Sequence, residues 1–182
     1  MNISSKLILN ILHIIAWIIF VGVSINAGGF VSNTIYTLTV NSNLAGHFWG
    51  NLNLSNLYQS ETAYFITVTT IMSITSTIKA IMFFLIVKLL YDKKLNLVQP
   101  FNAEVGRFIF LLFYLTLAIG FFCKYGSDYT KWLTEKGILV PSLEELQLGG
   151  ADVWFFMSII LFIIAHIFKR GIEIQAENEL TI

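Results

Sequence analysis

Four apolar stretches divide the chain. Leu7 to Ile25 runs nineteen residues without a charge, after a start that carries Lys6. Thr62 to Val87 is longer and holds one charge, Lys79. Phe108 to Cys123 is sixteen uncharged residues between Arg107 and Lys124, and Val153 to Phe168 is sixteen more between Asp152 and Lys169. A helix rising 1.5 Å per residue needs about 20 such residues to cross roughly 30 Å of hydrocarbon. The two shorter runs reach that length when flanking Arg and Lys lay their stems along the apolar layer. The pattern predicts an all-α membrane protein, a bundle of four transmembrane helices forming one integral domain over residues 1–182. Its spans fall at about 7–25, 63–90, 105–123 and 152–169, followed by a tail at 170–182.

The first stretch carries Gly22-Val23-Ser24, a small-x-small pattern of the kind found at signal-peptide cleavage sites. Its apolar core exceeds the roughly 7–15 residues of a signal sequence, so it reads as an uncleaved anchor. Orientation follows the Lys and Arg residues. With both ends inside, the inner segments hold Lys6, Lys88, Lys93, Lys94, Arg107, Lys169 and Arg170, against Lys124, Lys131 and Lys136 outside. The first outer loop, 27–61, has no Lys or Arg. Both termini are therefore expected on the cytoplasmic side.

The first outer loop is rich in Asn, Ser, Thr and Gly, and Thr34 to Val40 has strand-like composition. Gly46-His47-Phe48-Trp49-Gly50 reads as a turn carrying aromatics to the membrane interface. The inner loop, 91–104, is short enough to make the second and third spans antiparallel neighbours. Pro100 stops a helix before it, Asn102 is placed as an N-cap, and Glu104 offsets the helix dipole. The second outer loop, 124–150, mixes charges and is expected to form one or two surface helices, around 129–136 and 142–146. Gly149-Gly150 before Asp152 reads as a turn into the fourth span.

Composition narrows the function classes. Hydrophobic residues make up 56% and charged residues 12%, where soluble domains carry roughly a quarter. Eleven basic and eleven acidic residues cancel, which speaks against direct nucleic-acid binding. One cysteine, Cys123, excludes an intrachain disulfide and a cysteine-based zinc site, and its place at a span edge suits packing. No nucleophile elbow, phosphate loop or paired His/Glu motif is present, so neither an enzyme nor a resident cofactor is expected.

Lys79 is the most unusual residue. Counted from Leu90 it lies about 11 residues, or 17 Å, inside the membrane, where an ammonium costs some 2.5–3.5 kcal/mol. Thr75 and Ser76 lie at i−4 and i−3 on its face and are placed to accept its hydrogen bonds. Thr67, Thr69, Thr70, Ser73 and Thr77 make this helix more polar than the others. Two readings stand open: an anion, headgroup or coupling contact, or a lysine satisfied between helices nearer an interface. His13 and His166 lie near the inner ends of the first and fourth spans. They would serve as axial haem ligands if antiparallel packing brought them to one depth, or as interhelical hydrogen-bonding groups. His47 is alone in its loop, and no three-ligand metal cluster can be assembled around it.

Two segments carry a family resemblance. Pro100-Phe101-Asn102, with Val105 and Arg107-Phe108-Ile109, resembles the Pro-Phe…Arg stretch that opens a third span. Gly171-Ile172-Glu173-Ile174-Gln175-Ala176-Glu177-Asn178-Glu179-Leu180-Thr181-Ile182 resembles a Gly-x-x-Leu-Gln-x-Glu-x-Asp-Leu-Thr-Val ending, with Ile174 in place of leucine and Glu179 in place of aspartate. The family is the YoaS-like group of small four-span bacterial membrane proteins, a domain of unknown function. The resemblance implies a bacterial cytoplasmic (inner) membrane and a small helix-turn-helix regulator encoded alongside. It gives Phe101, Asn102, Arg107, Gly171, Gln175, Glu177, Leu180 and Thr181 as motif positions, together with Pro100, and no catalytic residue.

The tail places Glu173, Glu177 and Glu179 beyond Lys169 and Arg170. Anionic lipid repels such a segment and leaves it available to a protein, and a basic DNA-binding domain suits it electrostatically. Three functions are therefore carried forward. The first is a non-enzymatic regulatory or sensory membrane protein. The second is a small-molecule or lipid carrier centred on Lys79, and the third a haem-bearing electron carrier using His13 and His166.

Overall fold

The computed structural model describes residues 3–92 and 101–179. Its helices are α1 (Ile3–Thr39), α2 (Ser55–Ser60), α3 (Thr62–Tyr91), α4 (Ala103–Glu135) and α5 (Ala151–Glu179), with two 3-10 turns at Ser42–His47 and Trp49–Asn51. Four helices are long and apolar enough to cross a membrane: within α1, α3, α4 and α5 these segments are Leu7–Thr39, Thr62–Tyr91, Ala103–Glu135 and Ala151–Glu177.

The long helices lie in a row. α1 packs on α3, α3 on α4, and α4 on α5, while α1 and α5 share no extensive interface. Ring pairs show that neighbours run antiparallel. Phe20 meets Phe84 and His13 meets Tyr91 between α1 and α3. Phe110 meets His166, Phe113 meets Phe162 and Phe121 meets Phe155 between α4 and α5. As outermost members of the row, α1 and α5 leave wide apolar surfaces bare, including Ile14, Ile18, Phe156 and Ile163. A helix that is apolar on its unpacked side suits a hydrocarbon surrounding.

Two ends of the row differ. At the cap end, the last turns of α1 and α4, the first turns of α3 and both connections close over one core. Phe30, Phe48, Leu54, Leu57, Phe65, Met72, Leu133, Leu146 and Leu148 are its main buried members. At the opposite, terminal end a small cluster of Val105, Ile109 and Ala165 gathers Leu89, Phe108, Leu161 and Phe168.

Four expectations about the connections are corrected. The strand-like segment at 34–40 is helical as far as Thr39. β-branched composition is a weak preference, and here Thr34 and Thr39 turn their hydroxyls back to the Phe30 and Ile35 carbonyls, while Thr37 is buried. The expected outer loop 27–61 thus gives its first third to α1. The aromatic turn at 46–50 points inward, not outward: Phe48 is buried, and Trp49 lies on Gly29 with its Nε1 donating to Asn26 Oδ1 at 3.2 Å. The helix that carries the third apolar stretch runs on past 123, since α4 continues to Glu135 and absorbs the separate helix expected near 129–136. Residues 142–146 form turns in place of a helix. A reciprocal cap holds them, in which Ser142 N and Oγ donate to Glu145 Oε2 and Glu145 N donates to Ser142 Oγ.

The start of α4 follows its local sequence. Asn102 is extended and its side chain accepts from Val105 N at 2.8 Å, with Glu104 in the first turn.

Candidate functional site

Lys79 stands on α3, half-buried, where the polar stripe of that helix meets the connection before α5. Its ammonium donates to Gln147 O at 3.2 Å and lies 5.6 Å from the centre of the Trp154 ring. The flexible lysine stem reaches toward the cap, as expected of a cation leaving hydrocarbon. Gln147 takes a positive φ of 57°, which turns the 143–150 backbone back across the helices. Gly126 permits that close approach, since a Cβ there would meet Leu148 at 2.9 Å and Ile71 at 3.3 Å. Lys79 thus ties the middle of α3 to the second connection.

The hydroxyls near it behave differently from expectation. Thr75 is fully buried and its Oγ1 has no hydrogen-bond partner, so it does not hold Lys79; Ser76 is also buried. Thr67, Thr69 and Thr77 spend their hydroxyls on carbonyls of their own helix, at Ala63, Phe65 and Ser73. Much of the polar character of α3 is consumed within α3. Cys123 is fully buried on α4.

His13 and His166 belong to different helix pairs. Trp17 Nε1 donates to His13 Nε2 at 3.0 Å, and the His13 ring lies 6.3 Å from Tyr91. His166 Nδ1 is 3.0 Å from Phe162 O, and its ring sits against Phe162 and Phe110. One is on α1 and the other on α5, the two flanks of the row, and each already has a local hydrogen-bond partner. Among the described residues no group of three His, Cys, Asp or Glu is placed to hold a metal ion.

The motif residues at the terminal end do come together. The Phe101 ring covers Gly171, where a Cβ would approach Phe101 Cδ1 at 2.5 Å, and its centroid is 5.3 Å from that of Phe168. One turn into α4, Gly106 faces Ile172 in the same way, at 3.3 Å. α5 continues as helix past this contact to Glu179, with Arg170 paired to Glu173 at 3.0 Å, Gln175 half-buried and Glu177 exposed. Arg107 is exposed, and its Nε donates to Ala103 O at 3.4 Å. Pro100, Leu180 and Thr181 lie outside the described residues.

Sequence reasoning missed Gln147 and Trp154 as companions of Lys79, because nothing local marks a carbonyl that is 68 positions away. It also did not single out the residues of a cap-end cleft of about 320 Å³, lined by Ser42, Asn43, Ser55, Tyr58 and Gln59. Among the described residues outside the apolar layer, Glu145 is a group whose titration the fold alters. The Ser142 hydroxyl and amide donate to its carboxylate and hold it below the ordinary glutamate value.

No known protein family, curated protein or solved structure matches the chain.

Proposed function

We propose that the chain is a non-enzymatic, multi-pass protein of a bacterial cytoplasmic membrane, with both termini inside and a regulatory or sensory role. In this reading it is a YoaS-like protein that holds a small helix-turn-helix regulator at its inner face. The observation that carries the reading is the seat of Phe101 on Gly171. It joins the start of α4 to the tail of α5, so the two motif-bearing segments form one surface and are not independent loose ends.

Beyond that seat the tail stays helical and carries Glu173 and Glu177 outward. A helix with exposed carboxylates suits a basic partner and is repelled by anionic lipid. The cap end supplies a compact surface of mixed charge at the opposite end, with Lys124, Asp128, Lys131, Glu135 and Lys136 exposed, and long continuous helices connect the two ends. The excess of Lys and Arg in the inner segments supports the orientation. The Lys79 carrier gains no support, since the ammonium is engaged by Gln147 O.

The test is co-expression with a helix-turn-helix regulator encoded beside it. Full-length chain should retain the regulator on membranes, and removal of residues 171–182 should release it. Reversing Glu173 and Glu177 to Lys should weaken retention. Equal retention by the truncated chain would overturn the proposal.

A further inference from the structure

The interface between α3 and α4 opens, at the terminal end, into a cleft of about 360 Å³ that the reading above leaves without a role. Its walls are two matching stripes. α3 contributes Leu85, Lys88, Leu89 and Asp92, and α4 contributes Leu111, Phe108, Arg107 and Glu104. Each set is spaced i, i+3, i+4, i+7, so each is one continuous face of its helix. Because the helices are antiparallel, the two faces present the same order with depth. Carboxylates stand at the rim (Asp92, Glu104), cations about one turn further in (Lys88, Arg107) with Leu89 and Phe108 beside them, and Leu85 and Leu111 deepest.

The depth can be fixed from packing. Leu89, Phe108 and Phe168 join one cluster, so Lys88, Arg107 and Lys169 ring a common level next to them. In a four-span arrangement that ring marks the boundary between hydrocarbon and headgroups.

We infer that this cleft binds the headgroup of a phosphatidylethanolamine molecule of the surrounding membrane. A bilayer phospholipid presents its groups in a set order from outside inward, and for this lipid the order is primary ammonium, phosphate, then acyl chain. The cleft offers their complements in that order: carboxylates, then Lys88 and Arg107, then an apolar floor. Arg107 turns one N–H, at Nε, back on Ala103 O and brings the rest of its donor fork to a phosphate oxygen. Basic pockets between membrane helices commonly select anionic headgroups. Among the described residues that line it, two carboxylates balance the two cations, so this lining favours a zwitterionic ligand. Phosphatidylcholine has the same charges, but its methylated ammonium has no N–H to donate to Asp92 or Glu104.

This inference rests on the membrane placement proposed above, and its test separates the two. Full-length chain is reconstituted in nanodiscs holding equal amounts of phosphatidylethanolamine, phosphatidylcholine and phosphatidylglycerol. It is then released into mild detergent, and retained lipid is measured by native mass spectrometry. Phosphatidylethanolamine should be retained about tenfold over the other two, the effect of one or two charge-assisted contacts. Asp92→Asn with Glu104→Gln should shift retention toward phosphatidylglycerol, and Lys88→Gln with Arg107→Gln should reduce all three. A photoactivatable phosphatidylethanolamine on the unaltered chain should label residues 85–92 and 104–111, a readout that needs no variant to fold. Soluble O-phosphoethanolamine should not compete at matched concentration, because it lacks the acyl chains that fill the floor. Equal retention of the three lipids, labelling elsewhere, or full competition by the soluble compound would overturn the inference. A chain extracted from membranes by alkaline carbonate would instead overturn the membrane placement.

Discussion

Phe101 occupies the space that a side chain at position 171 would fill: its Cδ1 lies 2.5 Å from where a Cβ on Gly171 would stand. The ring also rests on Phe168, so a residue just before α4 is held by the tail of α5 across one helix turn. Any side chain at 171 must push Phe101 away, and Phe101 is 37% exposed, so it has room to leave.

Gly171→Ala is therefore expected to cost about 1 kcal/mol from the displaced ring, net of the better helix propensity of alanine. With Phe101→Ala already in place, the same change should be neutral or slightly stabilising. A double-mutant cycle read by thermal unfolding in detergent checks this coupling. Additive effects would show that the two residues do not share a contact.

The sequence makes some of these relations legible and hides others for definite reasons. The capping of α4 by Asn102 was readable because all its parts lie within three residues. The four long apolar helices were readable from hydropathy, which needs no knowledge of neighbours. The second half of α1 was not. Ser32 and Asn33 look like loop residues, yet their side chains donate to Gly29 O and so satisfy themselves inside a helix. Phe48 and Trp49 looked like interface aromatics because their destinations, a core shared with Phe30 and Phe65 and the bare surface of Gly29, are set only by tertiary packing. Lys79 stood out by its setting, whereas its acceptor did not, since any carbonyl of the distant connection would look the same. The meeting of Phe101 with Gly171 was equally hidden, although both residues were singled out separately.

Removing the Lys79 ammonium should loosen the second connection more than the helices. Lys79→Met keeps an apolar stem of similar length but leaves Gln147 O without its donor. The expected loss is about 1 kcal/mol, since relief of the ammonium's desolvation offsets part of the lost charge-assisted bond. Hydrogen exchange should accelerate across 146–150 and stay unchanged in α4. Lys79→Arg should restore protection, because the guanidinium can still donate to the carbonyl and stack on Trp154.

The Ser142–Glu145 cap gives the same connection a dependence on acidity. The carboxyl of Glu145 is held below its ordinary value of 4.5 by the Ser142 donors. Its contribution is thus complete above the unfolded value and is lost as pH falls through the lower, folded one. Amide protection at 145–148 should weaken on acidification below about pH 4.5. In Glu145→Gln the protection should be lower at neutral pH and show little further change with acid. Equal acid sensitivity in both proteins would assign the effect to another group.

Burial separates the cap core from the apolar surface facing lipid, and paired substitutions expose the difference. Phe48 is 1% exposed, stacked beside Phe30 and edge-on to Phe65. Phe48→Ala opens a cavity in a site walled by three segments, α1, the first connection and α3, and should cost about 3–5 kcal/mol. Ile18, 68% exposed on α1, faces outward. In lipid an isoleucine there has the same surroundings folded or locally open, so Ile18→Ala should change stability by less than about 1 kcal/mol. The loss in Phe48→Ala should also appear as protease cleavage at 40–61 before the long helices unfold, because that connection depends on the cap core for its burial. Thermal unfolding in detergent together with limited proteolysis reads both effects. Equal losses in the two variants would mean that the cap has no core of its own.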